Sequence, residues 1–324
     1  MNNTQFFKKP VFLFSLLLTA VGLYAISLPE ILFGWDERFH ALVALNLTHD
    51  IFPPTLYPEK VVDHYDYDPW YRTHIWLHKP PLFTYQIALF FKLFGSSLFV
   101  LRLHSLVMWL VMYFALYGGA RNSGLKEHSS AWLSAIFCLS PMLLSLMNGS
   151  LGMDHNDITF VSYISVSFYF LAKYFKKPNP KIAAAIGLFA GLAVLTKWLA
   201  GSLVFLPFAL MLPQIGKKKK LLHFILALAI CILVVAPWHL LVYVRFPHLY
   251  LAEMKYNSRH FGEVLEGHDY SALFHISKWY WQLKPAFFLL VTGLLAAALP
   301  IKRSDWKAIS LLISVCFVFI FFIY

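Results

Sequence analysis

The fold is decided by residues 217–243, KKKKLLHFILALAICILVVAPWHLLVY. The apolar part of this stretch, residues 220–243, is long enough to cross a membrane as one helix, which needs about 20 apolar residues. The whole chain has the same character, since 59% of its 324 residues are hydrophobic and only 13% are charged. Soluble domains carry about 25% charged residues, so lipid must surround much of this chain. The sequence therefore predicts an all-α polytopic membrane protein.

Nine segments are predicted to span the membrane within a single transmembrane domain. The first follows Lys8 and Lys9, and no small-x-small cleavage site comes after it, so we expect an uncleaved signal-anchor helix. Two short segments, 181–196 and 199–212, form either two crossings or one broken hairpin that dips into the membrane. The predicted spans are 11–32, 98–118, 129–149, 157–175, 181–196, 199–212, 220–243, 285–300 and 306–324.

The charges are distributed unevenly between the two sides that these spans define. The loops on the side of the N-terminus contain fifteen Lys and Arg against two acidic residues, whereas the rest of the chain contains twelve against fourteen. Cytoplasmic loops carry such a basic excess, so the N-terminus is expected in the cytoplasm. The net charge of +11 thus reflects membrane topology and does not indicate a nucleic-acid partner. The long loops 33–97 and 244–284 and the short loop 149–156 then lie outside, where we expect the function.

Two short helices are predicted in the first outer loop, over residues 36–47 and 81–94. The second is too short to cross a membrane at 1.5 Å per residue and is expected to lie in the interface. Asp36 and Glu37 open the first helix directly after a span. Such a pair is typical either of a catalytic base with a ligand carboxylate or of a helix N-terminus, where the helix dipole favours acids.

The short loop between two spans contains Met153-Asp154-His155-Asn156-Asp157. Asn156 or Asp157 is suited to cap the next helix, which leaves Asp154 as the candidate for chemistry. Cations at Lys79, Lys197, Arg259 and His260 are candidates to bind a phosphate, although interfacial lysines more often extend to the water layer. The run 63–68, DHYDYD, suits either a divalent cation or, more often, a solvated surface.

Other familiar signals are missing from the chain. There is no Gly-rich phosphate loop, no His-Glu-x-x-His and no Gly-x-Ser-x-Gly. Few ionisable residues, among them His104, lie well inside the predicted spans, and Lys197 lies at the outer end of a short one. A transporter would need polar residues along a path across the membrane, so this pattern disfavours transport.

Several segments together resemble one family. They are Gly34-Trp35-Asp36-Glu37-Arg38-Phe39, His78-Lys79-Pro80-Pro81-Leu82, Met153-Asp154, the run 191–197 GLAVLTK, Ala236-Pro237-Trp238-His239 and Gly267-His268. In this order, from about residue 10 to the end, the chain resembles the bacterial C-type glycosyltransferases (GT-C) related to protein O-mannosyltransferases and to the lipid A aminoarabinose transferase. The resemblance implies a GT-C-like transmembrane bundle with periplasmic juxtamembrane helices in the first loop.

The resemblance also implies the site. Asp36 is then the catalytic base or acceptor-orienting carboxylate, with Asp154 nearby. Substrate binding falls to Glu37 and to basic residues of the motifs and of the later loop. These substrate-binding candidates are Glu37, Lys79, Lys197, Arg259, His260 and His268. Some relatives bind a divalent metal ion here, for which Glu37 and His78 are the candidate ligands.

Two departures from the family pattern matter. The lipid A branch usually has a glutamate before the Lys-Pro-Pro lysine and a histidine in the later loop, and the corresponding residues here look like His78 and Asn257. That branch's metal ligation and its aminoarabinose substrate are therefore not implied. Members also generally continue with further spans, so a C-terminal part present in the family is expected to be missing here.

The function predicted from these residues is transfer of a hexosyl or pentosyl group from a polyprenyl-phosphate sugar to a lipid, protein or glycan acceptor. It is expected at the periplasmic face of a bacterial inner membrane, with inversion at the anomeric carbon. Carboxylates stabilise the developing cation, and cations or a metal stabilise the leaving phosphate. The competing hypotheses are a non-enzymatic lipid-binding or lipid-transporting membrane protein and a scaffold subunit of an assembly.

Overall fold

The computed structural model describes most of the chain between residues 34 and 259. The described residues are 14–15, 17–22, 31–32, 34–57, 73–149, 155–210, 212, 217–259, 263, 274, 277 and 280–281. The predicted spans 285–300 and 306–324 and the acidic run 63–68 lie outside them. The described elements are α1 (Trp35–Asn46), α2 (Leu82–Phe94), α3 (Leu98–Asn122), α4 (Glu127–Cys138), α5 (Pro141–Asn148), α6 (His155–Lys176), α7 (Pro180–Lys197), a 3-10 segment (Trp198–Val204), α8 (Phe205–Leu210), α9 (Lys217–Arg245) and α10 (Pro247–Arg259).

Local sequence signals set several of the helix ends. Ser97 caps α3 by accepting a hydrogen bond from the Val100 amide at 3.3 Å, and Asn179 caps α7 by accepting one from the Lys181 amide at 2.8 Å. Pro180 and Pro141 occupy the first turns of α7 and α5, where the missing N–H costs nothing. Helices α3 and α6 cover the predicted spans 98–118 and 157–175.

Four described helical segments are long and apolar enough to cross a membrane: Leu98–Asn122, His155–Lys176, Pro180–Leu210 and Leu221–Arg245. The predicted span 129–149 is divided into α4 and α5, which are bent by 61° and together would make a fifth. The bend occurs at Ser140, whose backbone is extended (φ −62°, ψ 145°) before a proline. A residue before proline is pushed out of the helical region, which explains the break.

The helix contacts define the direction of each segment. Ser105 of α3 meets His155 of α6, and further along Gly118 meets Tyr169, so α3 and α6 run in the same direction. Helices α4 and α5, which lie between α3 and α6 along the chain, run in the opposite direction. Helix α7 runs opposite to α6, because Lys197 at its end contacts Asp157 at the start of α6.

The segment 180–210 reverses at Trp198, although its backbone is almost continuously helical. Gly201 packs on the backbone of α7, and a Cβ there would lie 2.2 Å from the Val194 nitrogen. Phe208 then contacts Tyr174, in the last turns of α6, with ring centroids 5.0 Å apart. The stretch 199–210 thus runs back along α7, as two crossings would require. The total number of spans stays a prediction.

Small residues allow α7 and α9 to pack with their backbones in close contact. A Cβ at Gly187 would lie 2.1 Å from the Ala227 carbonyl oxygen, and one at Gly191 would lie 2.8 Å from Val234 Cβ. Small residues at such contacts are the usual way for membrane helices to associate, because dispersion contacts replace the hydrophobic effect inside lipid. Helix α9 is otherwise little covered by the described residues, and Leu222, Ile232 and Leu233 are exposed on it.

We expect Gly187→Ala to destabilise the protein by about 1–3 kcal/mol, because the added methyl group meets backbone and not a movable side chain. The measurement is the Tm of the detergent-solubilised protein. Gly119→Ala is the matched control, since a Cβ at Gly119 would lie 3.8 Å from its nearest neighbour, which is ordinary contact. Equal Tm values for the two variants would contradict the close packing of α7 on α9.

The described parts of the first loop, residues 34–57 and 73–97, pack as a cap on one end of this bundle. The loop's helices α1 and α2 lie within one residue of the predicted bounds. The chain between them forms an antiparallel bridge from Thr55 to Ile75, and Asn46 closes it by donating to the Thr55 carbonyl at 2.9 Å. The end of the bundle beneath this cap, marked by Arg102, Gly149, His155 and Lys197, is called the site end below.

Candidate active site

The first turn of α1 carries the two acids predicted to be functional. Gly34 precedes it with φ 56° and ψ −178°, a conformation open essentially to glycine, so the chain turns sharply into the helix. Consecutive helical residues diverge by about 100° around the helix axis. Asp36 and Glu37 accordingly face different surroundings: Asp36 is partly exposed, whereas Glu37 is only 1% exposed.

The Glu37 carboxylate is held among three side chains of the site end. His155 Nε2 lies 2.9 Å from Glu37 Oε1, and Arg102 Nε lies 3.6 Å from the same oxygen. Ser105 contacts the other ring nitrogen, Nδ1, of His155. All four side chains are buried. Charged groups such as Glu37 and Arg102 are buried in proteins only where they are paired. This group, Glu37, Arg102, Ser105 and His155, is called the Glu37 cluster below.

Backbone from two further segments contacts the Glu37 cluster. Arg102 Nη2 donates to the Ile31 carbonyl at 2.8 Å, which ties the chain entering α1 to α3. Gly149 ends α5 in the left-handed conformation with φ 73°, and a Cβ there would lie 2.6 Å from Glu37 Oε1. Only glycine combines that conformation with so close an approach.

Lys197 lies at the end of α7 and contacts the Asp157 carboxylate in the first turn of α6. The lysine side chain is 41% exposed and the aspartate side chain 23%, so solvent reaches the pair. A partly exposed ion pair of this kind contributes little to stability. Lys197 therefore shares its charge with a carboxylate two residues after His155.

The predicted phosphate-binding lysine lies beside a contact between the two long outer loops. His78 Nδ1 is 3.3 Å from Oε2 of Glu253 on α10, and both residues are buried. Burial raises the pKa of the Glu253 carboxyl to about 7, and the charge of Lys79 acts in the opposite direction. The His78 ring also lies 5.8 Å from the ring of Tyr256. Helix α10 is thus fixed next to the Lys79 segment.

Docking of α10 should be sensitive to pH through Glu253. Because its pKa of about 7 in the folded protein lies above the ordinary value of 4.5, the folded state binds this proton more tightly than the unfolded state. The stabilisation of the folded state by the proton on Glu253 is then fully present below about pH 4.5 and is lost as the pH rises through about 7. We expect the Tm of Glu253→Gln to match that of the parent near about pH 5 and to exceed it near about pH 8.5. A constant difference in Tm between the two proteins at both pH values would contradict this prediction.

A row of ring contacts connects the Lys79 segment with α1. Trp76 lies 6.3 Å from His78 and 5.2 Å from His40, one turn after Glu37 on α1. His40 also meets Phe83 of α2 edge to face at 4.7 Å. The helix that carries Asp36 and the segment that carries Lys79 are therefore packed together as one unit of the first loop.

Arg259 is a further predicted site residue on α10. Arg259, at the end of α10, is exposed and pairs with Glu263, with Arg259 Nη2 2.6 Å from Glu263 Oε2. Its hydrogen bond lowers the pKa of the Glu263 carboxyl. Asp154, His260 and His268 lie outside the described residues.

The proposed metal ligands do not form a common site in the described part of the chain. Glu37 is held by His155 and Arg102, whereas His78 contacts Glu253. Within the described ranges, no group of three or more His, Cys, Asp and Glu side chains is placed to hold a metal ion. The arrangement of Glu37 and His78 therefore does not fit joint metal ligation.

Sequence reasoning missed four residues of this region: Arg102, Ser105, His155 and Glu253. Arg102 and Ser105 lie near the start of an apolar span, and the available sequence signal was the presence of polar residues inside that span. His155 was part of a motif already singled out, but its neighbour Asp154 was favoured. Glu253 lies 175 residues from its partner His78, and nothing in the local pattern connects them.

Comparison with solved structures gives two matches, both to the same protein. The fold is similar to that of ArnT from Cupriavidus metallidurans, known from crystal structures in the apo state and bound to undecaprenyl phosphate. The TM-score is 0.70 at 18% identity for the first, over 97% of this chain and 54% of that chain. For the second it is 0.72 at 19% identity, over 97% and 55%. This chain thus spans about half the length of those chains. No curated protein sequence matches it.

The likeness confirms the predicted fold class, an all-α polytopic membrane bundle of the GT-C kind with helices in the first loop. The sequence profile of the dolichyl-phosphate-mannose-protein mannosyltransferases matches residues 78–241, from His78 through the end of the Ala236-Pro237-Trp238-His239 motif. That range is just over half of the 324 residues. The relationship predicted from the motifs is confirmed, and the chain belongs to the dolichyl-phosphate-mannose-protein mannosyltransferase family.

Proposed function

We propose that this protein is a glycosyltransferase that moves a sugar from a polyprenyl-phosphate donor to a lipid, protein or glycan acceptor. The observation that carries the proposal is the packed unit of the first loop, in which a partly exposed carboxylate, Asp36, and a cation, Lys79, belong to one cap on the site end. The likeness to ArnT, which binds undecaprenyl phosphate in its crystal structure, supports a donor of that chemical class.

The chemistry proposed for this site is a single displacement. The acceptor oxygen forms a bond to the anomeric carbon while the bond from that carbon to the phosphate oxygen breaks, and the sugar inverts. Asp36 takes the acceptor proton, as a general base requires, and its charge stabilises the positive anomeric carbon. The polyprenyl phosphate leaves with the bonding electrons and remains in the membrane.

The cations of the site have separate roles in this proposal. Lys79 lies at the start of α2, where helix N-termini favour anions, and it holds the phosphate as charge develops on it. Lys197 binds substrate by exchanging its Asp157 contact for the donor. Arg259, exposed at the end of α10, contributes from the later loop, together with His260, His268 and Asp154 of the sequence pattern. No step passes through a metal ion, because Glu37 and His78 do not fit as joint ligands.

The orientation proposed for the protein follows from its charges. The end of the bundle opposite the site end carries the basic residues Arg121, Lys126, Lys173, Lys176 and Lys181, which matches a cytoplasmic surface. The site end then faces the periplasm of a bacterial inner membrane. Lipid-linked donors present their phosphate at that surface, so the donor can reach Lys79 without leaving the membrane.

The test is a donor screen on the purified full chain in lipid nanodiscs. Radiolabelled polyprenyl-phosphate hexoses and pentoses are added with a bacterial membrane extract as the source of acceptor. We expect label to move from the donor to a new product for at least one sugar. The alternative, a lipid-binding or lipid-transporting protein, predicts that donor binds, or crosses a liposome membrane, while the sugar stays on its phosphate. That second result with every donor would overturn the proposal.

A further inference from the structure

We propose that Glu37 is a positioning residue, which through His155 and Arg102 fixes the direction in which Asp36 faces. The inference rests on the proposed function, since it assigns Glu37 a role in the same transfer reaction. It replaces direct substrate contact, the role that the sequence pattern suggested for Glu37. The observations behind it are the burial of Glu37, its partners on two membrane helices, and the glycine that contacts its carboxylate.

Helix α1 can be fixed in rotation through Glu37. A helix docked only by apolar side chains can turn by some degrees and slide along its axis at little cost, because dispersion contacts are not directional. The Glu37 carboxylate instead makes a directional hydrogen bond with His155 at 2.9 Å, and an ion pair with Arg102 at 3.6 Å adds attraction toward α3. Because Asp36 precedes Glu37 on the same turn, holding Glu37 inward sets the face on which Asp36 emerges.

The cost of burying this group argues for a specific purpose. Buried ion pairs are no more stabilising than well-packed apolar residues of the same size, so stability alone does not explain Glu37 at 1% exposure. Arg102 makes two contacts with the chain around Asp36, one with the Ile31 carbonyl and one with the Glu37 carboxylate. The chain is therefore fixed on both sides of Asp36, by the Ile31 carbonyl before it and by Glu37 after it.

The hydrogen bonds of His155 are consistent with one defined arrangement. With its hydrogen on Nε2, the neutral ring donates to Glu37 Oε1 and accepts at Nδ1 from the Ser105 hydroxyl. The ionised Glu37 carboxylate can only accept, so it selects this tautomer, and the Ser105 hydroxyl can serve the remaining nitrogen. Gly149 contacts the same carboxylate oxygen from α5, so a side chain at position 149 would displace Glu37. Segments from α1, α3, α5 and α6 thus meet at one carboxylate.

The experiment combines kinetics with the accessibility of position 36. Glu37→Gln keeps the size of the side chain and an acceptor oxygen but removes the charge. His155→Asn removes Nε2, the ring nitrogen that contacts Glu37. For each, we expect kcat to fall about 10- to 100-fold, with the donor KM changed by less than about threefold. The double variant should have about the same kcat as the more impaired of the two single variants, because both substitutions remove the same contact.

Accessibility is measured with Asp36→Cys placed in the parent and in each variant. A membrane-impermeant maleimide reports the rate at which the thiol at position 36 reacts; Cys138 and Cys231 are buried, and the protein without Asp36→Cys supplies the blank. We expect the rate to change at least about fivefold in Glu37→Gln and in His155→Asn. This readout needs no transfer activity, so it tests the positioning role even if no donor is turned over in the screen.

The matched control is His223→Asn, the same substitution at a histidine that joins two helices at the opposite end of the bundle. His223 Nδ1 lies 2.9 Å from the Tyr174 hydroxyl. We expect this variant to keep the kcat and the labelling rate of the parent. A labelling rate at position 36 that stays unchanged in Glu37→Gln would overturn the proposal. It would also fail if His223→Asn produced the same losses, since that would indicate general loosening of the bundle.

Discussion

The Asp36→Asn variant is expected to lose sugar transfer by about 10²- to 10⁴-fold, the contribution of a general base, while it still inserts in the membrane and binds donor. Asn has nearly the same size as Asp but cannot accept the acceptor proton or offset the charge on the anomeric carbon. Asp36 is partly exposed in the first turn of α1, so its replacement leaves no buried group unpaired. The loss should therefore appear in kcat and not in the amount of folded protein.

The measurement is single-turnover transfer from the donor found in the screen, together with donor binding by photo-crosslinking. Asp50→Asn is the control, because Asp50 is an exposed acid of the same loop, just after α1. It should behave as the parent does in both assays. Full transfer by Asp36→Asn would remove Asp36 from the chemistry and with it the catalytic assignment of the first loop.

The Lys79→Ala variant is expected to bind the polyprenyl-phosphate donor about 10- to 100-fold more weakly. Hydrogen bonds between an ammonium and a phosphate are roughly twice as strong as neutral ones, and the variant leaves the phosphate without that cation. The positive charge at Lys79 already acts on the carboxyl group of Glu253, as its effect on that pKa shows. Removing the lysine therefore changes the electrostatics at the contact between the two outer loops as well.

Donor binding is compared between Lys79→Ala and Lys92→Ala by titration of labelled polyprenyl phosphate in nanodiscs. Lys92 is an exposed lysine in the last turn of the same helix α2, so its loss changes the net charge equally without changing the site. An affinity that is equal in the two variants would take Lys79 out of the phosphate-binding site. Lys79→Arg should retain most of the affinity, because a cation remains.

The sequence was informative about elements and poor about side-chain partners. Length and apolarity predicted the helices over residues 98–118 and 157–175, and proline placed the start of α2 within one residue. The span 129–149 was predicted as one helix, although Pro141 inside it was a sequence signal for the bend. Only packing shows that 199–210 returns along α7.

The two acids of the first loop show where such reasoning reaches its limit. In the sequence Asp36 and Glu37 are adjacent and equally suited to catalysis, to ligand binding or to a helix start. The rotation of α1 separates them, and that rotation depends on His155, which lies 118 residues further along the chain. The local pattern could not predict this contact. The order of the motifs did predict the family, because that order can be read from the sequence without knowing which residues are in contact.

The same separation has a consequence for biogenesis. The ribosome delivers Glu37 long before His155, and a chain is synthesised from its N-terminus at about 5–20 residues per second. During that interval the carboxylate must stay hydrated at the membrane surface, since an unpaired buried charge is too costly. Helix α1 has its full set of partners only after α3 and then α6 have left the translocon. The nascent protein therefore completes its cap last among these parts, and a chain arrested before residue 155 would present α1 incompletely docked to proteases.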